Sequence, residues 1–382
     1  MTWTVYARDP SLRRVGQVDD FVRLQLVRKF NDVGSWVLEL DGRAPLAALL
    51  TTPGYGIEVV RHDDGVVTPV FSGPMRLRQR SLKVDSNRLV LGGYDDNVWL
   101  RRRWAAPQPA TATPPYATQA YDVRTGTCST ILRQYVDVNV GPSALAVRRV
   151  PGMVLSADPG TGVSVTGRAR WQVLMDLLRE LALAGGGLGF TVTASPTVSG
   201  QIDFLTYMPS DKTGVVRFSR ELGTLSEAEY ESAASDVNYV AVGGSGEGTA
   251  RTVVERPSPD EVNVWGRIES FVDRRDTNDA TELGQAADEA LADGVGETRL
   301  SLAPVDVPGQ QYLTHYTLGD RVTAVIDGEV IQEVVREIAV SLTPDGPATT
   351  KPTIGSPGAG DINRMFRRLA AAERNIRNLE RR

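Results

Sequence analysis

The residues with which this chain could do chemistry are unevenly supplied. There are 47 carboxylates, but only two histidines, His62 and His315, and one cysteine, Cys128. A Cys–His or Ser–His hydrolase would have to use one of those two imidazoles. Three soft ligands scattered along the chain cannot make a Cys/His zinc site, and a lone cysteine cannot close an internal disulfide. Asp122, Glu180, Asp203 and Asp320 are candidate acids for a carboxylate hydrolase, although so many carboxylates make chance pairs inevitable. No His-Glu-x-x-His or Gly-x-Ser-x-Gly arrangement is present. The glycine-rich run Gly243-Gly244-Ser245-Gly246-Glu247-Gly248 lacks the Gly-Lys-Ser/Thr ending of a nucleotide loop and leads into a strand-like segment, so it reads as a hairpin tip. Arg101-Arg102-Arg103 is either a phosphate patch or a solvated, ion-paired edge. The six tryptophans could stack on sugars, but most fall in strand or helix patterns that favour core positions. The expectation is therefore no catalytic, cofactor-binding or metal residue, no cofactor, and no enzyme.

The elements that would position these residues are mainly strands. Val22, Leu24 and Leu26 alternate with Arg23 and Gln25, and Trp36, Leu38 and Leu40 with Val37 and Glu39, which is the period of half-buried antiparallel strands. Asn31-Asp32-Val33-Gly34 is the turn between them. Asp63-Asp64-Gly65 separates two β-rich runs and predicts a tight hairpin. Residues 105–116 hold Pro107, Pro109, Pro114 and Pro115 and read as a loop. Trp171, Leu174, Met175, Leu178 and Leu181 recur at helical spacing, and Gly185-Gly186-Gly187 ends that helix. Strands return from residue 188, with one more helix after Asp279, whose spacing to Glu282 resembles a capping box.

Two features concern the chain as a whole. The Gly56…Asp63-Asp64-Gly65 hairpin has an echo in Gly319…Asp327-Gly328, each followed by a second strand. This is either two unrelated hairpins or two copies of one barrel separated by an insert. After a Pro- and Gly-rich linker, Ile362, Met365, Leu369, Ala372, Ile376 and Leu379 occupy a and d positions of consecutive heptads, which predicts a self-associating helix. That helix carries seven arginines against three acidic residues, so the formal charge of −5 divides into +4 on residues 361–382 and −9 on the rest. An acidic body argues against general nucleic-acid binding. No stretch is apolar enough for a membrane span, and no secretion signal is expected at the N-terminus.

Several segments together resemble siphovirus minor tail proteins of actinobacterial phages, the tail-tip baseplate hub family. They include Val5-Tyr6-Ala7-Arg8-Asp9-Pro10, Arg28-Lys29-Phe30-Asn31-Asp32-Val33-Gly34-Ser35-Trp36 and Gly54-Tyr55-Gly56-Ile57. Further along are Tyr121-Asp122-Val123-Arg124-Thr125-Gly126, Leu177-Leu178-Arg179-Glu180-Leu181-Ala182, the glycine-rich run with Thr249-Ala250-Arg251, Trp265-Gly266-Arg267-Ile268-Glu269 and Leu318-Gly319-Asp320-Arg321-Val322. The resemblance implies a structural virion protein at the phage tail tip, assembled in the host bacterial cytoplasm. Such a protein forms a ring, usually a trimer, in which two related barrels per chain face a sixfold tube. Its implied partners are the distal tail or tube-end protein, the tape-measure protein and tip or fibre proteins, and DNA passes through without specific binding. The alternatives are a tail-associated cell-wall hydrolase and a host-receptor or glycan-binding tail protein.

The expected fold is α+β and mainly antiparallel β. It comprises a tube-like β-barrel domain over 1–98, an inserted helical α/β domain with the Pro-rich loop over 99–187 and a second β-barrel domain over 188–342. A linker over 343–360 and a C-terminal coiled-coil helix over 361–382 complete it.

Overall fold

The computed structural model describes residues 2–355, except 64, 114–117, 233–234, 295–297, 306, 308 and 345. The heptad helix, with Ile362, Met365, Leu369, Ala372, Ile376 and Leu379, lies outside the described residues.

The N-terminal stretch forms β1 (Thr2–Arg8), β2 (Arg14–Gln17), β3 (Phe21–Lys29), β4 (Ser35–Asp41), the one-turn helix α1 (Ala47–Leu50), β5 (Gly56–Asp63), β6 (Val66–Leu82) and β7 (Asn87–Tyr94). The middle forms α2 (Val98–Arg101), β8 (Asp122–Thr127), α3 (Cys128–Asn139), β9 (Met153–Leu155), β10 (Ser164–Ala169), α4 (Leu174–Ala184), β11 (Gly189–Ala194) and β12 (Ile202–Tyr207). The last part forms β13 (Arg217–Ser219), β14 (Leu225–Ser232), β15 (Tyr239–Gly243), β16 (Val253–Pro257), α5 (Pro259–Trp265), β17 (Glu269–Asp273), α6 (Ala280–Gly294), β18 (Thr298–Pro304), β19 (Arg321–Ile326), β20 (Glu329–Leu342) and β21 (Thr349–Gly355).

Local chemistry explains the hairpins. Ile326 pairs with Glu329 across a two-residue turn in which both Asp327 (φ 50°) and Gly328 (φ 85°) are left-handed. That is the conformation whose twist matches a β-ribbon. Asp63 likewise pairs with Val66, and Gly65 has φ 82°.

Beyond the turns, the topology repeats. In the first unit the strands lie in the order β3-β4-β7-β6-β5, and in the second β14-β18-β21-β20-β19, every pair antiparallel. The irregularities repeat as well. A register shift between Phe21 and Arg23 in β3 matches one between Leu225 and Glu227 in β14. A shift between Met75 and Leu77 in β6 matches one between Val335 and Glu337 in β20. A β-bulge is a specific backbone feature that bends its strand. Two of them at matching places make these units copies of one design. The copies differ at one edge, where β1 joins β5 antiparallel and β13 joins β19 parallel.

This arrangement corrects the expectation of two closed barrels flanking a helical domain. Both units belong to one open 13-stranded sheet. The physical reason is the edge of β3. Closing the first unit on itself would require β3 to pair within that unit. Instead β20 pairs along it, from Glu337 opposite Lys29 to Leu342 opposite Leu24. Among the described residues the helices are few, and the insert between the two units holds five short strands beside its helices.

Three cores follow. The shared sheet buries Trp36, Leu38, Phe71 and Leu91 from the first unit with Phe218, Leu302, Ile338 and Ile354 from the second. The middle part packs α3 and α4 against β11 and β12 through Tyr135, Leu178, Phe190 and Phe204. A small core of Val240, Val242, Leu283 and Ala287 lies between α6 and the sheet of β15, β16 and β17, which interrupts the second unit between β14 and β18.

Candidate assembly edges and polar junctions

The structure spreads the candidate acids over three elements and a turn. Asp122 in β8 pairs with Arg124 at 3.0 Å, and Asp203 in β12 accepts from Gln201 at 2.9 Å. Asp320 accepts the backbone N–H groups of Ser210 and Thr317, and so ties the turn ahead of β19. Glu180 in α4 lines a cleft of about 510 Å³ between the middle part and α6. Across that cleft Arg168 pairs with Glu282 at 2.8 Å, while Asp279 caps α6 through the N–H groups of Thr281 and Glu282. Burial pushes the Cys128 thiol up to about 12, so it is no nucleophile at neutral pH. His315 accepts the Gln311 N–H through Nδ1. Among the described residues no cluster of His, Cys, Asp or Glu has the form of a metal site.

The densest polar chemistry lies where the first sheet meets the middle part, at Tyr94-Asp95-Asp96-Asn97. Asp96 is fully buried and accepts two bonds from Arg8 (2.6 and 2.8 Å), one from Ser72 (2.5 Å) and one from Trp99 (3.1 Å). Burial would raise its pKa, but the Arg8 charge and these donors hold it below the usual range. Asp95 has no such partner. Burial, reinforced by the Asp96 charge, pushes it up to about 8 against the bonds from Gly34 and Asn97 and the Arg28 charge.

Around this pair three side chains clamp β11 by its backbone. Asn31 accepts from the Phe190 N–H, Asn97 from that of Val192 and Ser72 from that of Ala194, at 2.8, 2.7 and 3.0 Å. Asn31 also donates to the Leu188 carbonyl. Sequence reading placed Asn31 in a turn, where it is (φ 50°), but nothing local signalled that its amide reaches 159 residues along the chain.

Arg101-Arg102-Arg103 is neither alternative in its simple form. Arg101 stacks on Tyr94 and Arg102 on Trp99, with the guanidinium carbons 5.0 and 4.9 Å from the ring centroids. Among the described residues, none of Arg76, Arg101, Arg102 and Arg103 has an ion pair, and one Nη of Arg102 is buried without a partner. Burial lowers the Arg102 pKa, and the charges of Arg76, Arg103 and Arg101 lower it further. Of the tryptophans, Trp36 is core and Trp99 serves Asp96, but Trp104 and Trp265 are about half exposed.

Among the open strand edges, two lie at corresponding places in the repeated units. Beyond its kink, β6 (Leu77–Leu82) pairs only with β7, and β14 pairs only with β18, among the described residues. The β6 stretch exposes Leu77 (61%) and Leu82 (70%), and Val84 at the hairpin tip is fully exposed. In the second unit the place of Leu82 is taken by Leu342, which is buried against β3.

The fold is that of phage tail proteins. The 43 kDa tail protein of prophage MuSo2 from Shewanella oneidensis is similar at TM-score 0.58 and 10% identity, over 92% of this chain and 98% of that one. Prophage tail protein gp18 from Listeria monocytogenes EGD-e is similar at 0.56 and 11%, over 97% and 99%. A tail protein from Neisseria meningitidis MC58 is similar at 0.55 and 12%, over 94% and 98%. No curated protein sequence matches the chain. The chain belongs to the siphovirus ReqiPepy6 Gp37-like protein family, whose model matches residues 2–356, and it is a tail component of the virion. The resemblance to siphovirus tail proteins noted in the sequence is borne out. No helix among the described residues is long and apolar enough to cross a membrane.

Proposed function

We propose that this protein is a tail-tip hub that closes into a ring by strand addition, joining tail tube to tip and leaving a passage for DNA. One observation carries the reading: within the chain, the far half of the second unit's long strand, β20, pairs with the first strand of the first unit, β3. The mirror of that joint is missing. The far half of β6 and the edge of β14 are the equivalent pair, and both are open among the described residues. Exposed edges of this kind invite pairing with another chain. If β6 of one chain takes β14 of the next in the register of β20 on β3, every unit in the ring meets its neighbour in the same way. The contact is head-to-tail and can therefore close. Three chains give six units, which suits a sixfold tube. The heptad residues Ile362, Met365, Leu369, Ala372, Ile376 and Leu379 form a stem below the ring. The adjoining tube-end, tape-measure and fibre proteins are its partners, and its role is structural.

The internal joint fixes the register. Leu342 opposite Leu24 becomes Leu82 opposite Ala228 of the next chain. Opposed residues in antiparallel strands have Cβ atoms close enough for a disulfide. In Leu82→Cys/Ala228→Cys, mild oxidation yields a covalent oligomer, while Cys128, buried in the middle core, contributes no background. Light scattering then gives three times the chain mass of 41.4 kDa. A monomeric product at concentrations where the protein assembles ends the strand-addition reading.

A further inference from the structure

Arg76, Arg101, Arg102 and Arg103, which have no ion pair among the described residues, have a counterpart at the internal joint. There, Arg336 directly follows the kink residue Val335, lies over Phe30 (5.6 Å) and accepts the Phe30 N–H through its carbonyl at 2.8 Å. A second arginine, Arg179, adds its charge beside Arg336 and lies 3.9 Å from Asp32, just past the end of β3. So at the joint a pair of neighbouring arginines stands near the exit of the joined strand, and one of them, Arg179, reaches the carboxylate there.

At the open edge, Arg76 holds the place of Arg336, directly after the kink residue Met75. Arg76 and Arg101–Arg103 add positive charge to one another around Arg102, as Arg179 does beside Arg336. No carboxylate of the same chain pairs with them among the described residues. The equivalent of Asp32 is Asp236. Each lies nine residues beyond the kink residue of its strand, Arg23 or Glu227, and each is followed by valine. Asp236 is exposed. The sequence from Glu221 to Asp236 holds five carboxylates and no basic residue, whereas Arg76 to Lys83 holds four basic residues and no acidic one.

We infer that the Arg76/Arg101–Arg103 cluster is the receiving half of an electrostatic lock between subunits, and that the acidic β14 segment of the next chain, ending in Asp236, is its occupant. The inference rests on the ring reading and adds to it what sets direction. A basic edge meeting an acidic one is attractive, while β6 on β6 or β14 on β14 brings like charges together. Assembly is thereby head-to-tail, and a two-chain isologous dead end is disfavoured.

The test uses the full chain carrying Leu82→Cys/Ala228→Cys, with cross-link yield as readout. Arg76→Glu/Arg101→Glu changes two exposed side chains and lowers the yield about tenfold at low salt. Asp236→Lys does the same, and the combined triple charge swap on one chain restores it. In about 1 M salt, where charges are screened within a few ångströms, the parent loses yield as well. Thermal melts of each variant establish that it is folded. A parent that cross-links while Arg76→Glu/Arg101→Glu stays within twofold of it overturns the lock and leaves the joint standing. A folded parent that never cross-links overturns the joint itself.

Discussion

Asp95 is a carboxyl whose charge the fold excludes. With its pKa near 8 in the folded chain and near 4 when unfolded, it binds a proton more tightly folded than unfolded. Its contribution is fully present below about pH 4 and is lost as pH rises towards 8, on the order of a few kcal/mol in all. Asp96 and Arg28 are the charges that face it, and Asp96 stays ionised through this window because Arg8 holds it. Asp95→Asn should therefore gain stability over the parent at pH 8.5 and show little or no gain at pH 5 by chemical denaturation. A gain equal at both pH values would dismiss this account. None of this was legible in the sequence, where Asp95-Asp96 is one acidic pair among 47 carboxylates. Its meaning depends on Arg8 and Ser72, 88 and 24 residues away from Asp96.

At the scale of elements, the parts set by local rules were the readable ones. Period-2 alternation found β3 and β4, and the two Asp-Gly turns found β5/β6 and β19/β20, because a left-handed turn residue is a local demand. Gly328 shows the size of that demand: its φ of 85° is unfavourable to a side chain, yet no atom lies within 4 Å of where a Cβ would stand. Gly328→Ala should cost about 1 kcal/mol, from backbone strain alone. At Gly93 a Cβ would lie 2.1 Å from the Pro74 carbonyl oxygen and 2.5 Å from the Trp36 indole nitrogen. Gly93→Ala should be several times worse, with equilibrium unfolding of both variants as the check. What the pattern could not show is that β6 and β20 change partners halfway along. A kinked 17-residue strand reads like two strands, and only the packing of the whole sheet decides which neighbour each half takes. Closed barrels were the natural reading of such strands, and the edge of β3 decided otherwise.

For the whole molecule, the acidic body and basic tail seen in composition acquire a local counterpart in the basic sequence of β6 and the acidic sequence of β14. The heptads remain a separate device. Removing residues 357–382 should leave Leu82–Ala228 cross-linking intact and weaken the oligomer measured by light scattering after dilution. Equal stability on dilution would deny the stem a role.

The clamp on β11 has an evolutionary corollary. Asn31, Asn97 and Ser72 grip main-chain N–H groups at residues 190, 192 and 194, and a backbone amide looks alike whatever side chain it bears. The middle part can thus exchange nearly all its side chains under selection without losing its seat on the sheet. A coupling of that kind lets the sequence of the middle part drift far while the architecture persists.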